Sequence, residues 1–251
     1  MNLDLSERQS IILDRLAKEG TLSVALLSRG LGVSEVTVRS DLKDLEEKGF
    51  VGRTRGGAYP AFYKDILERQ RLNVDEKNRI AAAAAEFIRD DDRIMIEAGT
   101  TTALIVKYLA GRRGVQIVTN STLVFSYARL NPGLNIILSG GVFRKETESL
   151  VGPIALKAIL EFNARLAFVG TDGFSVERGM TTQLVEGGEI VKAMKMRAEE
   201  TWLVADSSKY GKSGFVSVLG LSEVDGIITD SRIGEEAMRK LRENALEPRV
   251  V

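Results

Sequence analysis

The chain has 251 residues, 44% hydrophobic and 28% charged, with 35 basic and 35 acidic side chains and neither Cys nor His. That length and apolar content suffice for two compact domains. The missing thiols and imidazoles argue against disulfides, zinc, haem and iron–sulfur centres and His-based triads, so no metal site and no cofactor is expected.

No run approaches the roughly eighteen apolar residues of a membrane span, and the N-terminal stretch with Asp4 and Glu7 does not read as a signal peptide. The expected location is the cytoplasm. The first helix opens at Ser6-Glu7-Arg8-Gln9, which has capping-box form, and runs through Ile12, Leu13 and Leu16 to a stop at Gly20. A second, short helix can start at Ser23 and run to Arg29, leaving Leu31-Gly32-Val33 as a tight turn.

The third helix starts after Ser34, a good N-cap, and ends at Gly49. Val38, Leu42 and Leu45 make one narrow apolar stripe. The opposite side carries Val36, Thr37, Ser40, Lys43 and Asp44, with Arg39 on the flank; it mixes hydrogen-bonding groups, positive charge and a methyl-bearing side chain, as a major-groove reader needs. Taken alone this is also a solvated amphipathic helix of any globular protein. Helix, short helix, Gly-containing turn and polar-faced helix, however, is helix-turn-helix order, spanning about 22–41. Phe50 to Ala58 then reads as a short hairpin whose Arg53 and Arg55 sit beside Gly56-Gly57, where phosphate contacts belong. Residues 1–60 hold nine basic and nine acidic side chains, so weak non-specific DNA binding and reliance on oligomerisation are expected.

Val33-Ser34, Thr37-Val38-Arg39-Ser40-Asp41-Leu42, Leu45 to Gly49 and Arg53-Thr54-Arg55-Gly56-Gly57-Ala58 together resemble the DNA-binding signature of DeoR-type bacterial transcriptional regulators. The family usually carries a second Arg where this chain has Ser40. The resemblance implies a winged helix-turn-helix at 1–60, with Ser34, Val36, Thr37, Arg39, Ser40, Lys43, Arg53 and Arg55 as DNA-binding residues.

Tyr59-Pro60-Ala61-Phe62 marks a boundary, and 61–74 reads as a linker with a short helix from Asp65 to Arg71. A stronger helix starts near Asp75 and runs through Ala81 to Ala85 to Ile88. Beyond it, six short apolar runs alternate with helical patterns: Ile94-Met95-Ile96, Val115 to Val118, Asn135 to Leu138, Leu166 to Val169, Trp202 to Ala205 and Gly226 to Thr229. They predict, for 75–251, a doubly wound, mostly parallel α/β domain with helices on both faces.

In such sheets ligands bind beyond the carboxyl ends of the strands. There stand Gly99-Thr100-Thr101-Thr102 before a helix through Leu104, Ile105 and Leu109; Thr119-Asn120-Ser121; Ser139-Gly140-Gly141 with Arg144 behind; Gly170-Thr171-Asp172-Gly173; and Asp206-Ser207-Ser208-Lys209. Each alone is an ordinary capped turn; five together favour a polar pocket, and the first suits phosphate. Gly211-Lys212-Ser213 lacks the upstream Gly of a phosphate-binding loop because position 206 is Asp, and no G-x-G-x-x-G follows a strand.

These groups are also similar to the sensor domain of the DeoR family, itself similar to ribose-5-phosphate isomerase. By that resemblance Thr100, Thr101, Thr102 and Lys209 hold a phosphate and Asp172 a sugar hydroxyl, and the effector-binding set is Gly99, Thr100, Thr101, Thr102, Asn120, Gly141, Arg144, Asp172, Gly173 and Lys209. Where the family usually has Asp-Ser, this chain has Glu97-Ala98. The leading expectation is a homo-oligomeric transcriptional regulator, a repressor of sugar-metabolism genes that binds double-stranded operator DNA under control of a phosphorylated sugar. The alternative is an aldose–ketose isomerase with an accessory helical domain, for which Asp172, Glu186 and Glu189 are the carboxylates able to move a proton. A scaffold without DNA is the third reading, against which the wing arginines and the Thr37 and Arg39 pair argue.

Overall fold

The computed structural model describes residues 5–61 and 64–251; Asp4 and Phe62 of the sequence reading lie outside them. The chain divides into two compact units, Met1–Val74 and Asp75–Val251.

The first unit runs α1 (Glu7–Glu19), β1 (Leu22–Ser23), α2 (Val24–Leu31), α3 (Glu35–Glu47), β2 (Val51–Thr54), β3 (Gly57–Pro60) and α4 (Lys64–Arg71). Local chemistry sets these boundaries. Ser6 and Gln9 form a reciprocal capping box on α1, Ser23 caps α2 and Ser34 caps α3 through the Thr37 amide. At the end of α3 the Phe50 amide reaches the Leu45 carbonyl and the Gly49 amide that of Glu46, with Gly49 at φ 80°, a Schellman close. Helix α2 extends to Leu31, two residues beyond the expected end, because Gly32 takes the left-handed conformation and terminates it. One core unites Ile12, Leu13 and Leu16 of α1, Leu27 of α2, Val38, Leu42 and Leu45 of α3, and Phe50. Helix α4, expected within a linker, puts Leu67 into that core, and its Arg71 bonds Asp14 at 2.6 Å.

The second unit continues with α5 (Val74–Ala85), β4 (Arg93–Ile96), β5 (Val115–Thr119), α6 (Thr122–Ala128), β6 (Leu134–Leu138), β7 (Val142–Arg144), β8 (Ser149–Val151), α7 (Pro153–Leu160), β9 (Ala164–Val169), β10 (Gly173–Ser175), β11 (Gly179–Thr182), α8 (Val185–Arg197), β12 (Ala198–Val204), β13 (Val216–Leu219), β14 (Gly226–Thr229), α9 (Glu235–Glu243) and β15 (Arg249–Val250). Seven strands form one sheet in the order β15-β14-β12-β9-β4-β5-β6, every neighbouring pair parallel. All six expected strands are in it. Central strands carry apolar residues on both faces: Met95, Ala167, Val169 and Leu203 pack with Ile190 and Met194 of α8, while the alternate Ile94, Ile96, Leu166 and Phe168 are equally buried.

In the second unit the structure corrects or adds to the sequence reading in three places. The helix expected through Leu104, Ile105 and Leu109 forms over residues 102–108 as a 3-10 helix capped by Leu109. Residues 102–106 are all buried, and β-branched Thr102, Ile105 and Val106 lower the α-helical propensity of the segment. Helix α5 stops at Ala85, short of Ile88, closing with Phe87 and Ile88 amides on the carbonyls three residues back. The hairpin β7–β8, the antiparallel sheet β10-β11-β13 and the edge strand β15 were not among the expected strands, lacking the continuous apolar run that marks the buried parallel ones.

Candidate functional site

Two surfaces carry the residues singled out from the sequence, one on each unit.

On the first unit, α3 turns its apolar stripe inward and leaves Glu35, Val36, Arg39, Ser40 and Lys43 exposed, Val36 at 77%. Ser34 is spent on capping: its hydroxyl accepts from the Thr37 amide at 3.1 Å and shares a 2.9 Å bond with the Thr37 hydroxyl. Both basic residues of this face are paired one turn away, Arg39 with Glu35 at 3.0 Å and Lys43 with Glu47 at 3.8 Å. The mid-helix Asp41 is buried and takes a two-pronged bond from Arg8 at 2.6 and 3.0 Å, so it subtracts nothing from the outward face. Gln9 likewise reaches Asp44 at 3.3 Å.

Strands β2 and β3 pair Arg53 with Ala58 and Gly52 with Tyr59 across the wing, with Arg55 exposed in the connecting turn. Gly57 is required where it stands, since a Cβ there would lie 2.3 Å from the Leu22 carbonyl oxygen of β1. Arg53 is half-buried, and its enclosed Nε has no hydrogen-bond partner among the described residues. Tyr59 covers Gly52 so closely that a Cβ would fall 2.1 Å from its ring.

On the second unit the strand order places the topological switch between β4 and β9: the chain moves outward through β5 and β6 on one side, then returns to β9, β12 and β14 on the other. The loops after β4 and β9 meet there. Glu97, absent from the expected set although it directly follows a strand, accepts the Gly170 amide through Oε2 at 3.1 Å. Thr100 and Thr101 are each 9% exposed, and the amides of Gly99, Thr100, Thr101 and Thr102 reach no acceptor among the described residues. Thr102 differs from its neighbours. It is fully buried and its hydroxyl donates to the Gly99 carbonyl at 3.1 Å, so it shapes the turn.

Asn120 is also a tie: its side-chain oxygen accepts the Ala98 amide at 2.9 Å and its Nδ2 reaches the Leu150 carbonyl at 3.3 Å, pinning the β4 loop to β8. Gly141 at φ 113° lies against Val151 and Ala155, where a Cβ would come within 2.6 Å of the Val151 carbonyl oxygen. Arg144 stands on exposed β7 and bonds Glu186 at 2.7 Å. Glu186's backbone hydrogen bond and then Arg144 hold that carboxyl below its ordinary range. Asp172 accepts the Thr182 hydroxyl at 3.0 Å and the Gln183 amide at 2.9 Å, while Gly173 opens β10.

Lys209 ends a 3-10 turn, Ser207–Lys209, after β12. That turn is clamped from the residue just after β14, buried Asp230, which accepts the Ser207 amide at 2.6 Å and its hydroxyl at 3.0 Å. Burial pushes the Asp230 carboxyl up, but bonds from Ser207 and Arg232 outweigh it and hold it below the usual range. Gly99 to Thr102, Asn120, Asp172 and Lys209 thus follow the carboxyl ends of β4, β5, β9 and β12 of the seven-stranded sheet, whereas Arg144 stands on the separate hairpin β7–β8. Glu35, which was not in the expected set, is the partner of Arg39 on the exposed face of α3; their four-residue spacing was the available signal for that pair.

Comparison with protein families matches residues 8–60 to the DeoR-like helix-turn-helix domain and residues 72–231 to the DeoR C terminal sensor domain. An uncharacterized HTH-type transcriptional regulator of Haemophilus influenzae is 32% identical over 252 residues, 96% of each chain. A protein of Escherichia coli O157:H7 with the provisional name aga operon transcriptional repressor is 30% identical over 248 residues, 96% of this chain and 92% of its own. Among solved structures, ribose 5-phosphate isomerase from Methanocaldococcus jannaschii aligns at TM-score 0.40 and 19% identity over 55% of either chain, which carries no argument about activity.

Proposed function

Because the chain belongs to the DeoR family and is a DNA-binding transcriptional regulator, we propose that it is a cytoplasmic, homo-oligomeric repressor of sugar-metabolism genes whose operator affinity is set by a phosphorylated sugar. Residues 1–60 bind the operator and residues 75–251 bind the effector. On α3 and the wing, Ser34, Val36, Thr37, Arg39, Ser40 and Lys43 face the major groove and Arg53 and Arg55 the phosphates. The single observation that supports the effector reading most is the Gly99 to Thr102 turn beside the sheet's switch point, with four amides that meet no acceptor among the described residues. Oriented amides and hydroxyls of this kind complement phosphate oxygens, Lys209 adds a point charge, and Asp172 orients a sugar hydroxyl.

Thermal melting of the full chain against a panel of sugar phosphates tests this. A specific effector at a hundred times its dissociation constant raises native stability by about 2.7 kcal/mol and alters retention of the protein's own upstream DNA in a gel shift. A panel that leaves both unchanged refutes the effector class. Turnover of ribose 5-phosphate at an enzymatic rate would favour isomerase chemistry instead.

A further inference from the structure

The five acids of α3 are placed unequally. Asp41 is buried against Arg8, Asp44 is reached by Gln9, and Glu46 and Glu47 stand in the last turn. Glu35 alone lies in the first turn, on the exposed face beside Val36 and one turn from Arg39. Its Oε2 accepts from Arg39 Nη2 at 3.0 Å, with the two side chains about half exposed, 47% and 51%. An exposed pair of this spacing contributes little to stability. It does hold a carboxylate and a guanidinium side by side at the end of the helix that, in this class of domain, approaches base edges.

The edge of a G·C pair in the major groove presents guanine N7 and O6 as acceptors and cytosine N4 as a donor, whereas A·T presents acceptor, donor, acceptor. A guanidinium with two donors forward and an adjoining carboxylate acceptor complements the first pattern and clashes with the second. We propose that Glu35 and Arg39 read one G·C pair per half-site as a unit, Arg39 donating to guanine O6 and N7 while Glu35 accepts from cytosine N4. This rests on α3 being the DNA-reading helix. Over any other base pair the Glu35 carboxylate meets an acceptor or a phosphate, so it weakens binding to non-cognate DNA as well as strengthening the cognate contact.

The test selects duplexes with the full chain from a pool carrying about thirty random base pairs, then titrates the selected site and single-pair variants of it. Wild type is expected to lose about tenfold in affinity or more when one G·C pair in a half-site becomes A·T. Glu35→Ala should cut that discrimination to a few-fold at that pair alone, bind unselected duplex more tightly than wild type, and melt within a few degrees of it. Glu35→Gln, which keeps an acceptor without the charge, should retain part of the discrimination. Wild-type discrimination at every position in Glu35→Ala, or selected sites with no preferred G·C pair, overturns the pairing while leaving α3 as the reader, provided Arg39→Ala still loses specific binding. If Arg39→Ala and Lys43→Ala both bind as wild type does, the reading of α3 falls and the pairing with it.

Discussion

At the scale of single residues, net charge misleads about where charge acts. Nine acids balance nine bases in residues 1–60, yet Asp41 is folded inward against Arg8 and Glu47 spends its charge on Lys43, leaving the wing arginines unopposed by these acids. Arg39→Ala is therefore expected to abolish sequence preference, whereas Arg53→Ala and Arg55→Ala should weaken binding to all duplexes alike. Each wing variant should flatten the slope of log affinity against log salt by about one unit per lost phosphate contact; unchanged slopes in both would remove the wing from the interface. Glu148 offers a second test. It is buried at φ 50° and its side chain takes a bond from the Thr122 hydroxyl. Burial raises its carboxyl above the ordinary range, with the Thr122 bond opposing. A group whose pKa is higher folded than unfolded favours the fold below the unfolded value, and that contribution disappears as pH rises through the folded one. Glu148→Gln should thus raise the melting temperature at pH 7 and change it little at pH 4; the opposite order would contradict a buried, desolvated carboxylate.

At the scale of elements, the loops after the strands divide into turns that are internally satisfied and turns that are not. Thr102, Asn120 and Gly141 are spent on shaping the end of the sheet, and replacing them should cost stability before it costs ligand response. The Gly99 to Thr101 amides, which reach no acceptor among the described residues, are the complementary group, and the proposed effector reading adds the Lys209 side chain to them. Lys209→Ala is expected to leave operator binding and melting of the free protein near wild type while removing the response to the sugar phosphate, because a ligand shifts an equilibrium only through differential affinity for its two states. A wild-type response would detach the β12 loop from the effector. Asp230 supplies the positioning counterpart: its bonds to Ser207 place the turn that bears Lys209. Its lowered pKa gives stability present above the unfolded carboxyl range and lost as pH falls through the folded value.

At the scale of the whole molecule, one winged helix covers too few base pairs for operator-level affinity, and paired half-sites call for two-fold symmetry. The larger unit has its own core and is the expected oligomerisation surface, so residues 62–251 alone should sediment as a dimer or larger at micromolar concentration; monomer alone would contradict that. The sequence by itself determined the helix caps, the Gly49 stop, the six apolar strands of the parallel sheet and the order of the two domains, because each depends on short-range chemistry: a hydroxyl three residues before an amide, a glycine free to take positive φ, an apolar run bounded by turns. Only the tertiary structure decided which polar residues remain available. Burial of Asp41, the inward hydroxyl of Thr102, the locked amide of Asn120, the bond of Glu97 across the switch point and the short strands β7, β10 and β15 all depend on partners 3 to 73 residues away. Most of those partners meet through chain reversals and sheet order that no local pattern encodes.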